Sequence, residues 1–227
     1  MAKLYGVGVG PGDSELMTLK AVRILESADA VAVPVTGKGA QTAFDIAKEY
    51  IDKNKVMECL IPMTRDKALL DAAYAKVIKD IEEQLSAGKS VAFITLGDPA
   101  VYSTYTRIGA AVAKDGFETE MIPAVTSFCA AAAKFNMPLC ENREPLFVIP
   151  AECADISSLL ALDGKKAIMK AGGRLGEIKA LLAENGLLDT AKMAEKCGMD
   201  GEVLYNGLSA ADEKKSYFSV IIAGNEQ

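Results

Sequence analysis

The chain has 227 residues, 50% of them hydrophobic and 6% aromatic, with no Trp. That suits one large domain or two small ones with an ample core. A net charge of −6, a pI near 4.9 and no Lys/Arg run longer than two residues argue against nucleic acid as the main partner, while an anionic small molecule needs only a local basic cluster.

Lys3 to Val9 reads as a first strand running into a glycine-rich loop, Gly8-Val9-Gly10-Pro11-Gly12-Asp13. Thr18 to Ser27 has Leu19, Val22, Ile24 and Leu25 at helical spacing. Ala30 to Val35 is a second buried strand, Thr36 to Gly39 a loop, Gln41 to Tyr50 a helix and Val56 to Ile61 a third strand. Pro62-Met63-Thr64-Arg65-Asp66 follows that strand, and Leu69 to Ala87 is a long helix. Ser90 to Leu96 is the fourth strand, Gly97-Asp98-Pro99 its loop, Tyr105 to Lys114 a helix and Phe117 to Ile122 a fifth strand. This alternation of strand and helix predicts a mostly parallel sheet covered on both faces.

Pro123 to Ser127 reads as a junction and Phe128 to Phe135 as a short Ala-rich helix. Strands follow at 145–149, 165–170, 191–196, 202–206 and 217–223, with helices at 156–162 and 175–184. The last two strands are joined through Gly207 to Lys215, too short for a helix, which suggests a hairpin and a mixed sheet. The expected organisation is two α/β domains, 1–122 and 123–227, with glycine-rich strand ends in both halves facing a ligand cleft between them.

Several chemistries are excluded. The chain has no His, which removes the commonest general base, the Ser-His-Asp arrangement and the commonest metal ligand. Cys59, Cys129, Cys140, Cys153 and Cys197 are scattered and odd in number. With no signal-peptide pattern and no membrane-length apolar run, they read as reduced thiols of a cytoplasmic protein. The amino-terminal glycines miss the G-x-G-x-x-G spacing: Pro11 or Asp13 stands where the third glycine belongs. The second strand also lacks the acidic residue of a nicotinamide site. Gly88-Lys89-Ser90 resembles the end of a P-loop, but Glu83 replaces the leading glycine and the stretch precedes its strand.

The Gly97-Asp98-Pro99 loop should lie at the carboxyl end of a central parallel strand, where open α/β sheets bind ligands. Taken alone, Asp-Pro reads first as a helix start. Thr126-Ser127 offers two hydroxyls at a helix start, and Met169-Lys170-Ala171-Gly172-Gly173 a glycine-rich strand end. Taken alone these are a cap and a turn.

Read in order, Leu4-Tyr5-Gly6-Val7-Gly8-Val9-Gly10-Pro11-Gly12-Asp13 with Leu19-Lys20-Ala21, Ala32-Val33-Pro34, Gly97-Asp98-Pro99, Ile122 to Ser127 and Tyr217 to Ile222 resemble the tetrapyrrole (corrin/porphyrin) methyltransferase superfamily. The resemblance spans nearly the whole chain. Within the group it is closest to the enzymes that methylate C-20 of precorrin-2 or cobalt-factor II. It rests there on Pro62 to Asp66, on Thr95 to Thr104 with Leu96 before the glycine, and on Glu195 to Met199 followed by Gly201-Glu202. Arg is more usual at the Lys196 position.

The resemblance implies a homodimer using S-adenosylmethionine, with no protein-bound metal, in cobalamin biosynthesis. It implies donor contacts at Val9, Gly97, Asp98, Val101, Tyr102, Thr126, Ser127, Met169 and Met199. Methyl transfer from a sulfonium needs no metal and no protein nucleophile, which agrees with the missing His. A proton must then leave the methylated carbon, and Asp98 and Tyr102 are the candidate acceptors; Asp98 could instead pair with the donor's positive charge. Arg65, Arg107 and Arg143 are candidates for gripping a polycarboxylate tetrapyrrole, because guanidinium forks match carboxylates. The cobalt-containing acceptor is the favoured one. Competing expectations are methylation at another ring position or of a non-tetrapyrrole acceptor, and a non-catalytic ligand-binding protein; a nicotinamide oxidoreductase comes last.

Overall fold

The computed structural model describes residues 2–37, 41–212 and 217–224. The chain divides into two units, Met1–Thr126 and Ser127–Gln227. The expected loop at Thr36 to Gly39 and the connection through Lys215 fall partly outside the described residues.

In the first unit, β1 (Leu4–Gly8), β2 (Ala30–Val35), β3 (Val56–Leu60), β4 (Val91–Thr95) and β5 (Thr119–Ile122) form a sheet in the order β3-β2-β4-β1-β5. Every pairing is parallel. β4 is buried along its whole length, as a central strand covered on both faces must be. Four helices cover the sheet: α1 (Leu19–Ser27), α2 (Thr42–Ala47), α3 (Lys67–Ser86) and α4 (Tyr105–Lys114). Thr18 and Asp66 start α1 and α3 by accepting the Ala21 and Leu69 amides, the usual N-cap device.

Alternation along the strands decides which helix goes where. Val7, Val31, Val33, Ala92 and Ile94 pack with Ala21 and Leu25 of α1 and Ala43 and Ile46 of α2. Leu4, Ala32 and Phe93 point the other way and pack with Val77 and Ile81 of α3 and Tyr105 and Ile108 of α4. Each of the Val, Leu, Ile and Phe side chains contributes about 1.5–3 kcal/mol by leaving water.

In the second unit, α5 (Ser127–Lys134), β6 (Leu146–Pro150), α6 (Ile156–Leu160), β7 (Lys165–Met169), α7 (Leu175–Glu184), β8 (Lys192–Glu195), β9 (Val203–Asn206) and β10 (Ser219–Ala223) follow. The sheet order is β6-β7-β10-β8-β9. β6 and β7 are parallel, and the other pairings are antiparallel. The sheet is mixed, as expected, but the expected hairpin of the last two strands does not form. β9 pairs with β8, and β10 inserts between β7 and β8. Burial explains it: all five residues of β10 are buried, whereas Val203 and Leu204 of β9 are exposed. An all-buried strand needs neighbours on both edges, and β9 takes the rim.

Candidate active site

In the first unit β1 and β4 are neighbours, yet the helices that follow them pack on opposite faces of the sheet. The chain therefore parts just beyond their carboxyl ends, the switch point at which open α/β sheets leave a ligand crevice. The loops after β1 and β4 are locked together there. The Val9 amide donates to the Thr95 carbonyl at 3.0 Å and the Gly97 amide to the Gly10 carbonyl at 2.8 Å. Gly97 has φ 73°, and a Cβ built on it would meet nothing within 4 Å. The backbone turn requires glycine, and its outer side is open to a ligand. Gly8 serves a different need: a Cβ there would lie 2.6 Å from both the Gly97 carbonyl oxygen and the Ala124 Cβ.

Asp98 braces this loop. Its Oδ1 accepts the Ala100 amide at 2.8 Å and its Oδ2 accepts the Ala124 amide at 2.8 Å. The first bond is a local Asx-type turn, and the second ties the loop to the segment after β5. Thr95 and Ser103 share a hydroxyl–hydroxyl bond at 3.0 Å, and Ser103 Oγ accepts the Tyr105 amide at 3.1 Å. Between these anchors Tyr102 is held exposed at φ 47°, a conformation that costs a non-glycine residue about 1–3 kcal/mol. Thr126 lies two residues beyond Ala124, and its Oγ1 is buried with no hydrogen-bond partner among the described residues. Buried hydroxyls are rarely left so, and a bound polar ligand would satisfy it.

Val9, Gly97, Asp98, Val101, Tyr102 and Thr126 thus lie on the segments that meet at the carboxyl ends of β1, β4 and β5. Arg65 is exposed just past β3 at the same end of the sheet. Five of the exposed large apolar residues also stand at that end: Leu19 (73% exposed), Leu60, Met63 (69%), Leu69 and Tyr102. Arg107, in the first turn of α4, pairs with Asp71 of α3 at 2.7 Å and stacks 4.2 Å above the Tyr74 ring. Its contacts make it a tie between α4 and α3.

In the second unit Ser127 opens α5, Met169 ends β7, and Met199 lies in the loop from β8 to β9. Both β7 and β8 run antiparallel to β10, so Met169 and the Met199 loop share one end of this sheet. Arg143 is exposed in the turn before β6. Five non-glycine residues have positive φ among those described. Two are Asn, which tolerates it; of the other three, Tyr102 and Lys170 directly follow Val101 and Met169, and Lys196 sits in the loop that carries Met199.

Sequence reading missed the bracing residues. Ser103 was legible as a hydroxyl two residues before a helix start. The Asp98 bond to the Ala124 amide was not, because 26 residues separate the partners.

The sequence pattern of the tetrapyrrole (corrin/porphyrin) methylases matches residues 3–211. The chain belongs to this family. It is 35% identical to the cobalt-precorrin-2 C(20)-methyltransferase of Salmonella typhimurium, over 99% of this chain and 97% of that one. It is 30% identical to the precorrin-2 C(20)-methyltransferase of a Sinorhizobium species, over 98% and 95% of the two chains. The fold matches a uroporphyrin-III C-methyltransferase of Thermus thermophilus solved with S-adenosyl homocysteine, with TM-score 0.73, 19% identity and coverage of 98% and 97%.

Proposed function

We propose that this family member methylates C-20 of a dimethylated tetrapyrrole in cobalamin biosynthesis, with S-adenosylmethionine as donor and cobalt-factor II as the preferred acceptor. The observation that carries the donor site is the buried Thr126 hydroxyl, without a partner among the described residues, beside the braced loops at the sheet's switch point. Its fit to a ligand rich in hydroxyl and amine groups supports the reading, as do the names of the two C(20)-methyltransferase relatives. The higher identity to the cobalt-precorrin enzyme favours the cobalt-bearing acceptor.

The donor supplies an activated methyl group on a sulfonium. What remains for the protein is to align that group with the acceptor carbon and exclude water. Such positioning contributes about 7–11 kcal/mol when the reacting atoms are held in line. We assign Val9, Gly97, Asp98, Val101, Tyr102 and Thr126 to the donor, together with Ser127, Met169 and Met199. Both Asp98 carboxylate oxygens accept backbone amides, so we assign it to holding the loop that meets the donor. Tyr102 is the candidate for receiving the proton, directly or through water. Arg65, beside the apolar residues Leu60 and Met63, is the candidate grip on an acceptor carboxylate, with Arg143 a second. We further propose a cytoplasmic homodimer. The family resemblance supports it, and among the described residues no helix is long and apolar enough to cross a membrane.

The deciding experiment offers labelled S-adenosylmethionine with cobalt-factor II or precorrin-2, without oxygen, and locates the added methyl by mass spectrometry and NMR. One methyl at C-20 is expected, faster on cobalt-factor II. Methylation elsewhere on the ring would move the chain to another branch of the family. Donor binding without turnover on any tetrapyrrole would make it a binding protein.

A further inference from the structure

The loop joining β8 to β9 is folded tightly on itself. Lys196, Gly198 and Gly201 have φ of 50°, 73° and 81°. The Met199 amide donates to the Lys196 carbonyl at 2.9 Å, and the Glu202 amide to the Met199 carbonyl at 3.1 Å. One side chain closes the loop: Glu202 Oε2 accepts the Gly198 amide at 2.6 Å. The same oxygen lies 3.1 Å from Lys134 Nζ, and Lys134 is the last residue of α5, the helix that starts at Ser127. Cys197, beside this carboxylate, is buried, and its thiol is pushed up to about 11, by burial first and the Glu202 charge second.

We infer that Glu202 is a positioning residue for the methyl donor. A single carboxylate oxygen fixes the turn that presents Met199 and ties it to the helix that begins at Ser127. This rests on the proposed assignment of Met199 and Ser127 to the donor. Methionine has three rotatable bonds, so holding it against a ligand requires its backbone to be fixed. A charge-assisted bond to a backbone amide is a strong way to fix it. A carboxylate that merely stapled a surface loop would affect stability and leave donor affinity alone.

The test measures S-adenosyl homocysteine binding by calorimetry and steady-state kinetics on the full chain, with circular dichroism and thermal unfolding as folding controls. Glu202→Ala should weaken binding about tenfold or more, as loss of a charge-assisted bond does. The donor KM should rise while kcat and the acceptor KM hold. Glu202→Gln should recover most of the affinity, because its amide oxygen still accepts from Gly198. Lys134→Met should weaken binding without a change in kcat. A folded Glu202→Ala protein with wild-type donor affinity overturns the inference. If Glu202→Ala does not fold, Glu202→Gln and Lys134→Met both binding as wild type overturn it. Met199→Ala separates the two levels. If it is silent, the donor assignment of Met199 falls, and Glu202 must then act through α5, so a silent Lys134→Met sinks the inference too. If Met199→Ala weakens binding and Glu202→Ala does not, only the role of Glu202 is lost.

Discussion

Asp98 sits where two chain segments must meet: its two oxygens hold the Ala100 amide, in its own loop, and the Ala124 amide, beyond β5. Asn offers one acceptor oxygen, so Asp98→Asn turns an NH2 group against one of those amides. Donor affinity and turnover should both fall, by about tenfold or more, the scale of one lost charge-assisted bond. A general base would behave otherwise, with turnover lost and donor binding kept; calorimetry beside single-turnover kinetics distinguishes the two. Glu82 of α3 gives a residue-scale prediction for stability. Its carboxyl is raised from the ordinary 4.5 by burial first, then by its hydrogen bond to Asp115 and the charge of that residue. The folded chain therefore keeps this proton longer than the unfolded chain does. The stability so gained is complete below the unfolded value and is lost as pH rises through the folded one. Glu82→Gln, which stays neutral, should show a smaller fall in Tm than the wild type as pH goes from about 4 to 7. Equal slopes in thermal scans across that range would contradict this.

Among the elements, α4 carries Tyr105, Ile108 and Val112 into the core and Arg107 toward α3. Arg107 is half exposed, with Asp71 and the Tyr74 ring as its partners. An exposed ion pair with a cation–π contact stabilises by roughly 1 kcal/mol. Arg107→Ala should therefore lower the unfolding midpoint slightly and leave the acceptor KM unchanged. A large rise in that KM would support Arg107 as an acceptor grip, the role the sequence reading gave it. At β10 sequence neighbourhood suggested pairing with β9, and burial of all its residues placed it between β7 and β8.

For the molecule as a whole, the parallel first sheet puts every strand's carboxyl end on one side, and Arg65 and the exposed Leu60 and Met63 stand on that side with the Asp98 loop. If Arg65 grips an acceptor carboxylate there, Arg65→Ala should raise the acceptor KM about tenfold to a hundredfold, the loss of one hydrogen bond to a charged group. The Kd for S-adenosyl homocysteine should not change. An unchanged acceptor KM removes Arg65 from the site.

By itself the sequence determined the alternation of strands and helices, the mixed second sheet, the motifs that mark the family and the loops on which a donor site could be built. Those features are local: hydrophobic period, glycines at turns, capping residues and short ordered motifs are written in neighbouring positions. Tertiary structure alone decided the order of the second sheet, the bonding of Asp98 to Ala124, the pairing of Arg107 with Asp71 of α3 and the bracing of the Met199 loop by Glu202 and Lys134. Each of these joins residues far apart in the chain, or depends on which side of an element is buried. Such pairings follow from packing and the satisfaction of buried polar groups, and no local pattern encodes them.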